Sequence, residues 1–423
     1  MENINRLQKE KCTGCSACAE CCPTRSIQML YDDEGFLYPF VNTTCVNCGK
    51  CAQICPVLSD VAAKGSYPEN GYISVARDQQ ISFLSASGGG FVVFASWIIE
   101  KMNGVVFGCV MDSDFQVFHC STEAIEGLSE MQGSKYVQSD VKKTYTEARN
   151  FLESGRYVLY TGTPCQIAGL KCYLEKPYPN LFTVDIICHG VPSPIVFTRY
   201  INWLGCQYHR KIKSYRFRNK TIYGGSYIIK IVFQDGKILY KNPMKDIYYR
   251  SFLDGLSFRT SCYNCPFSQP NRISDITTGD CSTRSLYSKF LPFPAVSSII
   301  VNNFNGETLW AAVLDQFDSM EIDLEQEIKK NRQLNRPCEY QKACKRRLEM
   351  LNSSQFQEIA REISKNDSFL MKIYFSICVS IPQIYRKRII FYLKKFTSRW
   401  PSIINLIDKK TGSKKEISEF VKK

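Results

Sequence analysis

Residues 12–23 read CTGCSACAECCP and residues 45–56 read CVNCGKCAQICP. Each is a C-x2-C-x2-C-x3-C-P run, and the second starts 33 residues after the first. In such runs three closely spaced thiolates wrap one side of a [4Fe–4S] cubane, and the fourth cysteine reaches across to the other cluster. On that rule Cys12, Cys15, Cys18 and Cys55 hold one cluster, and Cys45, Cys48, Cys51 and Cys22 hold the second. The proline after each fourth cysteine turns the chain away. Gly14 and Gly49 permit tight backbone around the sulfurs. Structural zinc also uses C-x2-C pairs, but rarely three cysteines at this interval followed by x3-C-P. Cys21 is left over as a packing thiol. Two adjacent clusters conduct electrons, so any catalysis has to come from the rest of the chain.

A paired run of this kind is the signature of bacterial dicluster ferredoxins, so residues 1–60 are expected to form an α+β ferredoxin-like domain. The 423-residue chain has 21 Cys, 3 His and a formal charge of +14. That length implies two or three domains. The start, MENINRLQKEKC, has no apolar secretory core. No apolar run approaches the roughly 18 residues that span a bilayer. A cytoplasmic location is expected, in which so many cysteines serve as metal ligands rather than disulfides.

Residues 57–70 read as a linker, with Gly65 and Pro68. Beyond it, strands over 71–76, 103–110, 156–162 and 181–188 alternate with helices over 88–101, 139–154, 163–175 and 192–208. This alternation predicts a larger α/β domain with a largely parallel core. Residues 211–240 turn β-rich, with GG at 224–225 and DG at 235–236 marking turns. Ligand sites in open α/β sheets lie at the carboxyl ends of strands. SGGG (87–90) opens a helix there, a shape suited to binding phosphate on free amides. Cys165 in TGTPCQIAGL (161–170) and Cys188 with His189 in DIICHGVPSP (185–194) occupy the same topological position. FRTSCYNCPF (258–267) adds Cys262 and Cys265. These four thiols are candidate ligands of a third [4Fe–4S] cluster; a structural zinc or reduced core thiols are the competing readings.

Residues 71–306 resemble the coenzyme F420 hydrogenase/dehydrogenase beta subunit family. The resemblance rests on SGGG, GSKYVQS (133–139), GTPCQIAGLK (162–171), DIICHGVPSP, FRNKTIYGGSY (217–227), FLDGLSFRTSCYNCPF (252–267) and RISDITTGD (272–280). It implies a domain over 71–328 that binds FAD and iron–sulfur clusters and exchanges electrons with a two-electron partner, such as coenzyme F420 or a small molecule reduced with ferredoxin. Carried over residue by residue, it implies that Ser87, Gly88, Gly89 and Gly90 face the FAD phosphates. Lys135, Tyr136, Thr161, Gly162 and Thr163 would line the cofactor. Lys135 would stabilise charge on the reduced flavin or a phosphate, and His189 would relay a proton. Asp275 and Asp280 would bind ribityl hydroxyls or cap a helix. Relatives commonly continue the GD motif with Phe-Trp-Gly, whereas here it runs GDCSTRS (279–285). The change puts coenzyme F420 in doubt and makes Cys281 a possible extra ligand or redox-active thiol.

Residues 329–423 hold 23 Lys and Arg against 8 Asp and Glu, which leaves the first 328 residues nearly neutral. This basic, helical tail mixes apolar runs with RKR (386–388) and KK (394–395), a pattern suited to peripheral contact with an anionic membrane face. Packing on its own body or docking to an acidic partner are alternatives; nucleic acid is not expected. The expectation is an oxidoreductase that takes electrons from ferredoxin or another redox protein. The alternative is a non-catalytic electron-transfer subunit docked to a separate enzyme, for example in a membrane-linked polysaccharide pathway.

Overall fold

The computed structural model describes residues 2–220 and 227–339. The GG turn at 224–225 and the tail from residue 340 onward, with its expected membrane contact, lie outside these residues.

The amino-terminal unit is built as two matching halves. A two-stranded antiparallel sheet, β1 (Ile27–Tyr31) and β2 (Leu37–Val41), accompanies one-turn helices α1 (Ala17–Glu20) and α2 (Lys50–Gln53). Each helix starts five residues after the first cysteine of its run. The second and fourth residues after that cysteine are left-handed in both runs: Gly14 and Ser16 in the first, Asn47 and Gly49 in the second. Glycine supplies this backbone without steric cost, and Asn tolerates it. Each run therefore keeps one glycine, at a different position, and makes its second left-handed turn with Ser16 or Asn47.

The body contains β3 (Asn70–Ala76), α3 (Gln79–Leu84), α4 (Gly90–Met102), β4 (Val105–Met111), β5 (Val117–Thr122), α5 (Leu128–Met131) and α6 (Thr144–Glu153). It continues with β6 (Val158–Gly162), α7 (Pro164–Leu174), β7 (Leu181–Ile186), α8 (Pro194–Tyr208), β8 (Ile212–Asn219), β9 (Ile228–Phe233), β10 (Ile238–Lys241) and α9 (Ile247–Leu253). The last elements are β11 (Ile276–Asp280), β12 (Ser297–Val301), α10 (Phe304–Val313), β13 (Phe317–Glu321) and α11 (Leu324–Lys330). The strands are rich in Val, Ile and Phe, which fit a half-buried pleated surface. Helix starts follow local chemistry: Thr163 and Gln166 form a capping box with Pro164 at the first turn of α7, and Ser193 caps α8 ahead of Pro194. The Asp235–Gly236 turn joins β9 to β10, with Gly236 left-handed.

The large sheet has the order β13-β3-β12-β11-β7-β6-β4-β5. Its core is less parallel than the alternation predicts. Only β4–β6, β6–β7 and β7–β11 are parallel; β4–β5, β11–β12, β12–β3 and β3–β13 are antiparallel. A parallel return needs a crossover of a dozen or more residues, usually a helix. Between β11 and β12 the chain makes only short 3-10 turns, so β12 returns antiparallel. β3 nevertheless runs in the same direction as β11, because two antiparallel steps separate them. The carboxyl ends of β3, β4, β6, β7 and β11 therefore share one edge. A separate sheet, β10-β9-β8, packs with α8 and α9 around Phe197, Tyr200, Tyr215, Phe217 and Tyr248. Among the described residues, no helix is long and apolar enough to cross a membrane.

The expected linker is tied down. Ala62 is buried, Gln269 donates to its carbonyl at 2.8 Å, and Ser66 bridges Arg272. The helix expected over 139–154 starts at Thr144, because Ser139 and Asp140 are held beside β5, Asp140 bridging Phe118 and exchanging backbone hydrogen bonds with Val117 and His119.

Candidate redox site

Cys12, Cys15, Cys18 and Cys55, the set given by the spacing rule, line one small cavity with Ile4, Leu7, Met29 and Val57. All four are buried. Burial pushes the thiols of Cys15, Cys18 and Cys55 upward, and their sulfur neighbours add to it. Such thiols ionise only beside strong positive charge, which iron supplies. Backbone amides are already aimed at the sulfurs, from Ala17 to Cys15 and from Val57 and Leu58 to Cys55.

The second set is nearer to solvent. Cys48 is exposed, and Cys22 and Cys45 are half-buried. Cys51 interacts electrostatically with Cys45 and Cys48. Cys21, pushed up to about 12 by burial and then by Cys51, also interacts with Cys22 and Cys48. The Ser26 amide donates to Cys22 Sγ at 3.3 Å.

Cys165, Cys188, Cys262 and Cys265 line a second cavity. Cys165 stands in the first turn of α7, Cys188 follows β7, Cys262 lies within the 3-10 turn Thr260–Asn264 and Cys265 directly follows that turn. Burial, followed by neighbouring thiols, pushes Cys188 and Cys262 upward and Cys265 to about 12. Amides of Gly190, Val191 and Phe267 face Cys188, Cys262 and Cys265 in turn. His189 lines the same cavity. Its Nδ1 accepts from the Gln333 amide at 2.7 Å and its Nε2 lies 3.1 Å from the Leu253 carbonyl, so both ring nitrogens are engaged. Burial holds its pKa below the usual range.

The two cavities share a wall. Thr13, between Cys12 and Gly14, lines both. Gly169, one turn along α7 from Cys165, lies against Cys15. Arg259 donates to the Cys12 carbonyl from one side. Thr13, Gly169, Arg259 and Arg272 lie inside the quoted motifs but are not ligand-type residues, so the motifs gave them no role; only the adjacency of Arg259 to the C-x2-C pair could have singled it out.

The residues carried over for a flavin are spread along the carboxyl edge. Gly89 is left-handed and Gly90 opens α4; the Gly88 amide donates to Ser297 Oγ at 2.8 Å, and Ser87 Oγ donates to the Val296 carbonyl. Lys220 donates to the carbonyls of Ser82 and Ser87. Asp280, at the end of β11, pairs with Arg218 at 2.8 Å. Tyr136 stacks on Phe252 at 4.1 Å. Thr161, Gly162 and Thr163 lead from β6 into α7. Lys135 donates to the carbonyls of Glu130 and Met131, and burial lowers its pKa to about 8. Asp275 stands apart: it precedes β11, at the opposite edge from Asp280. Its carboxylate accepts from Thr183, Lys171 and Asn303. Cys281 does not line the four-thiol cavity; it lies 3.7 Å from buried Glu327.

The family model for coenzyme F420 hydrogenase/dehydrogenase, C terminus of the beta subunit, matches residues 155–326. A 4Fe-4S dicluster domain matches residues 11–58. Residues 155–326 belong to this beta-subunit family. Among solved structures it resembles a chain from a xenon derivative of the F420-reducing [NiFe] hydrogenase complex of Methanosarcina barkeri. The identity is 17%, the match covers 63% of this chain and 90% of that one, and the TM-score is 0.43. No curated protein matched. This F420 hydrogenase/dehydrogenase beta-subunit relative is thus an iron–sulfur redox subunit.

Proposed function

We propose that this beta-subunit relative is an iron–sulfur flavoprotein oxidoreductase with three [4Fe–4S] clusters in series and FAD at the carboxyl edge of the large sheet. The observation that carries the proposal is the shared wall at Thr13, which puts the Cys12/15/18/55 and Cys165/188/262/265 cavities back to back. A third cluster is preferred to zinc in the second cavity because it continues the series of cubane sets across the shared wall.

When bound, the clusters supply one-electron transfer and the flavin pairs such steps into a two-electron transfer. The chain's own residues set the docking side by burial. Cys48 and the neighbouring Val46 are exposed, where a ferredoxin or another redox protein can reach, while Cys12, Cys15, Cys18 and Cys55 are shut away from water. The amides of Gly190, Val191 and Phe267 hold the sulfurs of the third set. His189, held at both nitrogens, fixes the loop that carries Cys188. Ser87 to Gly90, Thr161 to Thr163, Lys135, Tyr136 and Asp280 border the flavin site. The two-electron partner is coenzyme F420 or a small molecule, and Cys281 and Ser282 stand where relatives carry aromatic residues.

Anaerobic purification with iron, sulfide and flavin quantitation tests this. Three clusters require about 12 Fe per chain at four per cubane, together with one FAD. A value of about 8 Fe removes the third cluster and leaves its thiols to zinc. Full iron without flavin makes the protein a carrier that docks to a separate enzyme.

A further inference from the structure

Arg259 is fully buried, and guanidinium does not lose its proton in proteins. Its Nε donates to the Cys12 carbonyl at 2.7 Å, Nη2 to the Leu37 carbonyl at 3.0 Å, and Nη1 to Gln138 Oε1 at 3.2 Å. The guanidinium lies 4.0 Å from the Tyr38 ring centroid and 5.5 Å from that of Phe36. Every one of these partners is neutral. Arg272, the other buried arginine beside the four-thiol cavity, has Asp185 at 2.8 Å. A buried charge is costly unless something of opposite sign faces it. What Arg259 does face is cysteine chemistry on both sides: its Nε holds the Cys12 carbonyl, its own carbonyl accepts from the Cys262 amide at 2.9 Å, and its charge acts on Cys165.

We propose that the counter-charge Arg259 lacks among the described residues is the negative charge of two clusters, one at Cys12/15/18/55 and one at Cys165/188/262/265. The guanidinium then holds the midpoint potentials of both above the values they would otherwise have. A four-thiolate cubane is an anion that gains one further negative charge on reduction, so a nearby buried cation favours the reduced form; net charge is one of the levers on cluster potential. This rests on the three-cluster reading. It adds that one residue tunes the inner pair and not the surface cluster.

The test is an EPR-monitored redox titration of the full-length holoprotein. In Arg259→Gln, both inner clusters should be about tenfold or more less reduced at a fixed potential, a negative shift of about 59 mV per tenfold for one electron. The surface cluster should stay put, and Arg259→Lys should restore most of the shift. Unmoved inner potentials, or an equal fall in all three clusters, would overturn the proposal. Should Arg259→Gln fail to load iron, Gln138→Glu places a carboxylate beside Nη1. It should produce the same negative shift, and an absence of shift refutes the idea. If the wild type carries only two clusters, the three-cluster reading fails by itself, and the Cys12 cluster still tests Arg259.

Discussion

Gly169 of α7 lies directly against Cys15 of the first cysteine run: a Cβ added at Gly169 would stand 2.9 Å from Cys15 Cβ and 3.1 Å from its Sγ. The same Cβ would meet the Tyr145 hydroxyl at 2.9 Å. A glycine inside a helix ordinarily costs about 1 kcal/mol relative to alanine. Here close approach outweighs propensity, because overpacking a tight contact costs about 1–3 kcal/mol. Gly169→Ala should therefore lower the melting temperature and reduce iron bound at the first cluster. A stabilised variant with full iron would show that the contact is slack.

Asp185 and Arg272 form a buried ion pair at 2.8 Å, with both side chains almost wholly excluded from solvent. Breaking one side of such a pair leaves an uncompensated charge and costs about 3–5 kcal/mol. Asp185→Asn should cost that much in denaturant unfolding and loosen the wall of the four-thiol cavity that Arg272 lines. A loss below about 1 kcal/mol would mean that the pair contributes little.

Cys281 is pushed up to about 12 by burial and then by the Glu327 carboxylate. The thiolate is the reactive form and the ligand. Alkylation of Cys281 at neutral pH should be slow in the folded protein. Cys281→Ser should keep iron content and stability near wild type, because a hydroxyl can still donate to Glu327. Loss of iron in this variant would make Cys281 a ligand after all.

Lys220 is buried beside Ser82 and Ser87, and burial, aided by Arg218, lowers its pKa to about 8. In the unfolded chain a lysine titrates near ~10.4. Between these values the unfolded state holds the extra proton, so stability from this site rises with pH across that window. Below about pH 8 both states are protonated and the site has no further pH dependence. The melting-temperature gap between wild type and Lys220→Met should thus shift in favour of wild type from about pH 8 to 10. A flat gap would place the Lys220 pKa close to that of a free lysine.

The twelve candidate thiols were legible because cysteine chemistry is written in spacing. Three close cysteines have one economical use, and a C-x2-C pair announces two ligands on one turn. Cys165 and Cys188 were legible because the period changes from 2 to 3.6 at the strand ends that carry them. Residues 16 and 47 were not: their left-handed backbone is imposed by the turn around the sulfurs, and Ser16 does not advertise it. The mixed sheet was missed for a related reason. A strand's direction depends on what connects it, and the stretch between β11 and β12 has no regular period that distinguishes a return from a crossover.

By itself, then, the sequence determined the candidate ligand chemistry: which cysteines make two candidate cubane sets, that four more sit at strand ends and a turn, and that the charge belongs to the tail. Local spacing suffices for these because each set is held by a few neighbouring residues. Only the tertiary structure decided that the two inner sets stand back to back across Thr13, with Gly169 letting the cysteine loop approach and Arg259 buried beside it. Residues 13, 169 and 259 are far apart along the chain, and their meeting is a product of packing between the amino-terminal unit and the sheet edge.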